Sequence, residues 1–208
     1  MSDKRTEILL TAEELFSDKG FDGTSVRDIA QKAGVNLAMI SYYFGSKEKL
    51  LEALIEYRSK YTFGILEELS KDEHMSPWDK IDRLVDFYTE KIISHSRIHN
   101  IISTDFPVER SAEVKDLVTH MKFKNMEQIK KIILDGQKKK VFRKIDIEFT
   151  IGSFMGTITQ LTLSKNFYCR LLNMDQSDDE TYRKKVIQRL RTHLKQLLRA
   201  HLDIRNEE

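Results

Sequence analysis

The chain has 208 residues, of which 40% are hydrophobic and 33% charged, and its formal net charge is +2. Eight glycines and two prolines are too few for a collagen-like, linker-rich or hairpin-rich protein, and a single cysteine excludes an internal disulfide framework. The apolar runs fall short of the ~20 residues that a membrane span needs, and the N-terminus lacks the apolar block of a signal peptide, so we expect a cytoplasmic, mostly helical protein.

The first two predicted helices are short and have clear ends. Apolar residues recur at helical spacing across residues 8–16, and Gly20 then ends the first helix. Ser25 caps the second helix, because Asp28 three residues later completes a capping box. Gly34 ends this second helix, since glycine enters the left-handed region of the backbone without strain.

A third short helix is predicted over about residues 36–44. Asn36 supplies its N-cap, and Gly45 ends it. The spacing of Ile40 and Phe44 turns both side chains toward a core, so most of the other side chains of this helix face outward.

Downstream of about residue 50 the predicted helices are longer. Ser46 opens the fourth helix, and the N-cap and N1 pair Ser76-Pro77 opens the fifth. A short helix ends near Phe106 at Pro107, and further helices are predicted over 110–137, 146–172 and 178–204, with Gly136 near the end of the first of these three. The pattern predicts an all-α fold of about nine helices, with one domain over residues 1–49 and a larger one over 50–208.

The strongest motif is the stretch GFDGTSVRDIAQKAGVNLAMISYYFGSKEKL at residues 20–50. Two short helices joined by the turn Ala33-Gly34-Val35 are typical of a helix-turn-helix, in which glycine permits the sharp reversal. The aromatic–Gly turn and the elements IA…AGV, YYF and SKEKL resemble the DNA-binding domain of the tetracycline-repressor (TetR) family of bacterial transcription regulators. The resemblance implies a three-helix DNA-binding domain followed by a helical effector-binding and dimerisation domain.

The predicted DNA contacts come from the helix geometry together with this resemblance. The third helix fits a major groove ~12 Å wide, and its N-terminal residues 36–39 would meet base edges. Arg27 matches a base- or phosphate-contacting position of the family, and Lys47 adds a cation to a positive helix pole that suits a phosphate. The complete predicted set is Arg5, Ser25, Arg27, Asn36, Leu37, Ala38, Met39, Ser41, Tyr42, Tyr43 and Lys47.

Two features of this domain depart from the family pattern. Ser41 stands where the family usually has tyrosine, which implies a phosphate contact that is shortened or moved to Tyr42. The reading residues 37–39 are apolar and cannot make bidentate hydrogen bonds, so thymine-methyl contacts, Arg27 and DNA shape are expected to supply more of the specificity.

Charge in this domain is nearly balanced, because residues 1–49 hold seven cations and eight anions. Binding to DNA therefore requires that the two signs be segregated on the surface. We expect Arg5, Arg27, Lys47 and Lys49 on one face, with Glu13, Glu14, Asp18 and Asp22 on the other. The alternative for residues 20–50 is a helical corner used only for packing.

The larger domain is rich in aromatic residues and methionines, which indicate either a cavity for an apolar effector or ordinary core packing. The candidate pocket residues are Phe63, Trp78, Phe87, Tyr88, Phe106, Phe123, Met126, Phe154 and Met155. That this domain senses a ligand is implied by the resemblance, and the sequence does not name the compound.

Two features of the larger domain predict a homodimer. Gly152 and Gly156 lie one turn apart in a helix where each costs ~1 kcal/mol relative to alanine, so another helix is expected to approach closely. The last helix carries a seam of apolar residues at alternating steps of three and four, namely Ile187, Leu190, Leu194 and Leu197. In the family, the two C-terminal helices form the dimer interface. The alternative is packing within one chain.

The remaining signals are weaker. His95 and His99 have a spacing that suits a metal ligand pair, but no cysteine lies nearby, so we expect no metal; Cys169 fits a core or interface residue. We found no nucleotide-binding loop and no catalytic constellation, and we expect neither a cofactor nor an enzyme.

The prediction is therefore a TetR-like, DNA-binding transcriptional regulator: a repressor, released from a double-stranded operator by a small apolar effector. One alternative is a helical small-molecule carrier or enzyme with a vestigial DNA-binding domain. Another is a DNA-binding protein that serves chromosome organisation.

Overall fold

The computed structural model describes residues 3–94, 112–174 and 179–206, and in this part of the chain it contains nine α-helices and one short 3₁₀ helix. The α-helices are α1 (Lys4–Lys19), α2 (Val26–Ala33), α3 (Leu37–Phe44), α4 (Lys47–Lys71), α5 (Pro77–Ser94), α6 (Ala112–Lys138), α7 (Ile147–Leu163), α8 (Lys165–Leu171) and α9 (Asp179–Leu202). The 3₁₀ helix is Ile204–Asn206. The predicted all-α fold is confirmed, whereas His95, His99, Phe106 and Pro107 lie outside the described residues.

Most predicted helix ends agree with the structure. Gly20, Gly34 and Gly45 follow α1, α2 and α3 with φ angles of 75°, 63° and 78°, a region that glycine occupies without strain. At the start of α5, the Ser76 hydroxyl accepts a hydrogen bond from the Asp79 amide at 3.1 Å. These ends were predictable because each depends on residues within one helical turn.

One predicted helix is wrong: residues 146–172 form two helices instead of one. Helix α7 ends at Leu163, and α8 begins at Lys165. The residue between them, Ser164, has φ −109° and ψ 37°, outside the α-helical region. The Ser164 hydroxyl makes no capping hydrogen bond to the backbone of α8; it accepts from Gln160 Nε2 at 3.0 Å.

The described residues form two compact units, and α4 and α6 contribute to both. The first unit contains residues 3–62 and 112–122. It extends beyond residue 49 because Leu50, Leu54 and Ile55 of α4 are completely buried in the same core as α1. The start of α6 also enters this core, through Val114 and Val118.

The second unit contains residues 63–94, 123–174 and 179–206. Ion pairs join α5 to α9 along one flank: Asp82 to Arg199, Asp86 to Lys195 and Glu90 to Arg191, at 2.8, 2.8 and 2.6 Å. Buried apolar side chains of the same two helices pack beneath these pairs. No described helix is both long enough and apolar enough to cross a membrane.

Candidate nucleic-acid interface

Helix α2 begins with a complete capping box. The Ser25 hydroxyl accepts from the Asp28 amide at 3.1 Å, and the Asp28 carboxylate accepts from the Ser25 amide at 3.0 Å and from the Ser25 hydroxyl at 2.7 Å. These hydrogen bonds hold the pKa of Asp28 below its ordinary value. In this structure the Ser25 hydroxyl proton is directed at Asp28, and a contact of this hydroxyl with a DNA phosphate stays a prediction.

The turn between α2 and α3 is fixed by backbone and side-chain hydrogen bonds. Gly34 adopts the left-handed conformation, and the Val35 amide donates to the Ala30 carbonyl at 3.0 Å. Asn36 then caps α3, since its Oδ1 accepts from the Met39 amide at 2.8 Å. The turn thus sets the direction of α3 relative to α2.

Helix α3 has one buried side and one exposed side. Ile40 and Phe44 are buried, as predicted. The exposed side consists of four residues, Leu37, Ala38, Ser41 and Tyr42, which we call the α3 outer face. Leu37 is 43% exposed and Tyr42 is 84% exposed.

Met39 and Tyr43 lie beside the α3 outer face and are half-buried. The Tyr43 ring packs edge-on against the Tyr42 ring at 5.3 Å between centroids, and it packs against Phe44 at 6.1 Å. Met39 is thus only partly accessible at the start of α3, and its contact with a base stays a prediction.

Lys47 lies at the start of α4 and is bound within its own unit. Its ammonium donates to the carbonyls of Phe21 and Thr24 at 3.0 and 3.1 Å and stands 4.2 Å from the centre of the Phe21 ring. Thr24 closes the same turn through a hydroxyl that donates to the Leu15 and Gly20 carbonyls. Two of the three N–H groups of Lys47 are thus engaged, so its main role in this structure is to fasten α4 to the α1–α2 turn.

Lys47→Ala is expected to lower the free energy of unfolding by about 1.5 kcal/mol, because two carbonyls lose a charged donor. Urea unfolding measures this loss. The matched control is Lys49→Ala, since Lys49 pairs with Glu52 at 2.8 Å on the surface and should contribute less than about 0.5 kcal/mol. Equal destabilisation by the two substitutions would contradict the structural role of Lys47.

The other charged groups of the first unit differ in how they are paired. Arg27 is exposed on α2 and has no ion pair within the described part of the chain. The Arg5 guanidinium lies 5.3 Å from the centre of the Phe44 ring. Two of the predicted acids are paired inside the unit: Arg58 Nε lies 3.0 Å from both Glu13 oxygens, and Lys32 lies 2.7 Å from Glu14. The segregation of charge onto two faces stays a prediction.

The predicted pocket residues of the second unit occupy different environments. Tyr88 and Phe154 are buried and pack edge-to-face at 5.9 Å, and burial raises the pKa of the Tyr88 hydroxyl. The Trp78 ring packs edge-on against Phe142 at 4.7 Å, whereas Phe123 is 61% exposed. Tyr88 and Phe154 thus belong to the core of the second unit and Trp78 packs against it, whereas their role in binding an effector stays a prediction. The half-buried members of the set are Phe63, Trp78, Phe87, Met126 and Met155.

The predicted dimer residues divide into two groups. Ile187, Leu190 and Leu194 are buried in the core of their own chain, because this side of α9 faces the core that it shares with α5. The prediction that these three residues form the dimer interface is therefore wrong. They pack within one chain, as the alternative stated. Leu197 is exposed, and so are the two glycines of α7, Gly152 and Gly156.

A surface depression of about 430 Å³ lies beside the first of these glycines. Among the described residues, Glu148, Phe149, Gly152 and Ser153 line it. Phe149 is 79% exposed, and a Cβ atom added at Gly152 would meet nothing within 4 Å. None of the predicted pocket residues is among the described residues that line the depression.

Comparison with known proteins places these features in context. Residues 8–54, which include α2 and α3, match the family described as bacterial regulatory proteins, tetR family. The chain is 25% identical over 180 residues to the probable HTH-type transcriptional regulator YttP of Bacillus subtilis (strain 168), and the match covers 86% of each protein. It is 33% identical over 81 residues to the HTH-type transcriptional repressor KstR2 of Mycolicibacterium smegmatis, which is 39% of each protein.

A solved structure shares the fold over most of its length. The transcriptional regulator FadR from Bacillus subtilis, crystallised in complex with stearoyl-CoA, superposes with a TM-score of 0.67 at 19% identity. The superposition covers 91% of this chain and 96% of that one. The fold is therefore common to both, although the sequences have diverged.

Proposed function

The chain belongs to the tetR family of bacterial regulatory proteins, and from this premise we propose that it is a homodimeric repressor that binds a DNA operator through α3 and leaves it when a small apolar effector binds. The observation that carries the proposal is the α3 outer face. Four adjacent side chains of one helix stand outside the core of the first unit, directly after a helix-turn-helix reversal. An α-helix about 10–12 Å across fits the ~12 Å major groove.

In the proposed complex each half-site receives one α3 helix. Residues at the start of α3 meet base edges, and Arg27 of α2 contacts the backbone or a base from beside the groove. Two first units in a homodimer would bind half-sites about one helical turn apart, ~34 Å, on a pseudo-palindromic operator. Repression is proposed because the relative KstR2, 33% identical over its matched part, is named a repressor.

The effector is proposed to bind the second unit. The apolar side chains concentrated there support an apolar compound, and the FadR structure that shares this fold contains stearoyl-CoA. Helices α4 and α6 contribute residues to both units, so they are the proposed route by which effector binding alters the DNA-binding unit. A coupling of ~1–3 kcal/mol would change operator affinity by about 5–150-fold. Gly64, exposed on α4, is a candidate flex point.

Dimerisation is proposed through the exposed side of α7 together with Leu197 of α9. Phe149 projects beside the depression lined by Gly152, and Gly156 lies one turn further along. A twofold-symmetric dimer brings the same patch of both copies together, so a projecting ring beside an open depression is a self-complementary surface. Regulators of this family act as dimers.

Operator selection from random duplex DNA, followed by a screen for compounds that release the protein, tests the proposal. We expect enrichment of a pseudo-palindrome and release by an apolar compound. A mobility-shift assay on random duplex DNA at low salt distinguishes the proposed regulator from the main alternative. A carrier or enzyme with a vestigial DNA-binding domain should not shift the DNA. Mapping of the bound genomic sites distinguishes the regulator from a chromosome organiser. A regulator should bind a few promoters, whereas a chromosome organiser should bind many dispersed loci.

Arg27→Ala is expected to weaken operator binding about tenfold and to reduce the salt dependence of binding by about one charge for each DNA-binding unit. The physical reason is that Arg27 is exposed and has no ion-pair partner in the described part of the chain. Fluorescence anisotropy over a range of salt concentrations measures the slope. Lys32→Ala on the same helix is the control, since Lys32 already pairs with Glu14. Identical slopes for the two variants would remove Arg27 from the interface.

A further inference from the structure

We infer that the α3 outer face selects its operator by the methyl groups of thymine, with Leu37 and Ala38 as the side chains that contact them. This inference rests on the proposed function, because it assumes that α3 enters a major groove. It states which chemical group of the DNA bases this protein recognises. The argument depends on the polar groups near the start of α3 that already form hydrogen bonds within the protein.

The amide of Asn36 is not available for reading adenine. A bidentate contact to adenine requires both the carbonyl oxygen and the amino group of the side chain. In this structure Asn36 Oδ1 accepts from the Met39 amide at 2.8 Å and so caps α3. Turning that oxygen toward a base would remove the cap from the helix that has to enter the groove.

Helix α3 also lacks a charged side chain, because its sequence is LAMISYYF. It therefore has no arginine or lysine for guanine and no carboxylate for cytosine. The first two residues of the helix are Leu37, which is 43% exposed, and Ala38, which is also exposed. In the major groove the thymine methyl is the largest apolar group on the base edges, so it is the partner that an apolar surface can contact without leaving polar groups unpaired.

The hydroxyl groups of the α3 outer face do not choose a base by themselves. Ser41 follows Leu37 by one helical turn, and Tyr42 follows Ala38 by the same interval. A hydroxyl both donates and accepts, so it pairs with a phosphate oxygen or with any base edge. Base selection by this helix is consequently left to the apolar contacts of Leu37 and Ala38.

Replacement of individual thymines by deoxyuridine in the selected operator tests the inference, since the change removes the methyl group and keeps every hydrogen-bonding group of the base. We expect the full-length protein to lose about fourfold in affinity at each thymine that contacts Leu37 or Ala38, as for the burial of one methyl-sized group. Leu37→Ala should abolish the deoxyuridine effect at one thymine of each half-site. Ser41→Ala, the matched control, should keep the effect, and urea midpoints check that both variants remain folded.

The possible results are distinguishable. A selected operator that binds equally well with every thymine replaced would overturn the inference and leave the proposed function intact. A deoxyuridine effect that is unchanged in both Leu37→Ala and Ala38→Gly would overturn the assignment to these two residues. Failure to select or shift any DNA would refute the proposed function itself.

Discussion

Ala38→Glu is expected to reduce operator affinity by at least about a hundredfold while the protein stays folded. Ala38 is exposed at the start of α3, a helix that contains no charged residue. A carboxylate at this position would stand against the negative potential of the groove in both DNA-binding units of the dimer. The same carboxylate lies in the first turn of the helix, where it interacts favourably with the helix dipole, so folding stability should not fall.

Fluorescence anisotropy on the selected operator measures the affinity, and urea unfolding measures the stability. Ala38→Gln is the matched control, because it has the same length without the charge and should lose much less affinity. If Ala38→Glu bound the operator as tightly as the unmodified protein, α3 would not be the helix that enters the groove.

Gly136→Ala is expected to lower the free energy of unfolding by about 3 kcal/mol, although alanine is the better helix former. A Cβ atom at this position would lie 2.0 Å from Cδ2 and 2.3 Å from Cε2 of Phe142. The Phe142 ring is buried and packs edge-on against Trp78, so it cannot move aside without disturbing the core of the second unit. Thermal or urea unfolding of the full-length protein measures the loss.

Gly64→Ala is the control for this substitution, because Gly64 lies in α4 and has open space where a Cβ would be added. It should stabilise the protein by about 0.5–1 kcal/mol through helix propensity alone. Similar stabilities for the two variants would contradict the packing of Phe142 against α6. If Gly64 is also the proposed flex point, its substitution should reduce the effect of an effector on operator affinity.

The sequence by itself was sufficient to predict the all-α fold, the helix-turn-helix and the ends of the short helices. The signals that define them are local, as in the Ser25–Asp28 capping box and the glycines that follow α1, α2 and α3. The helical period likewise identified Ile40 and Phe44 as the buried side of α3. Such features involve residues within one or two turns, so their spacing along the chain determines them.

Only the tertiary structure decided what those residues contact. Lys47 binds carbonyls that lie 26 and 23 residues earlier in the chain, and no local pattern distinguishes such a lysine from one that meets a phosphate. Ile187 and Leu194 belong to an apolar stripe whose sequence pattern is the same whether it packs on its own chain or on a partner. In the structure both side chains are buried within their own chain. Periodicity shows that a helix has an apolar side, but the surface that covers this side depends on the position of distant helices.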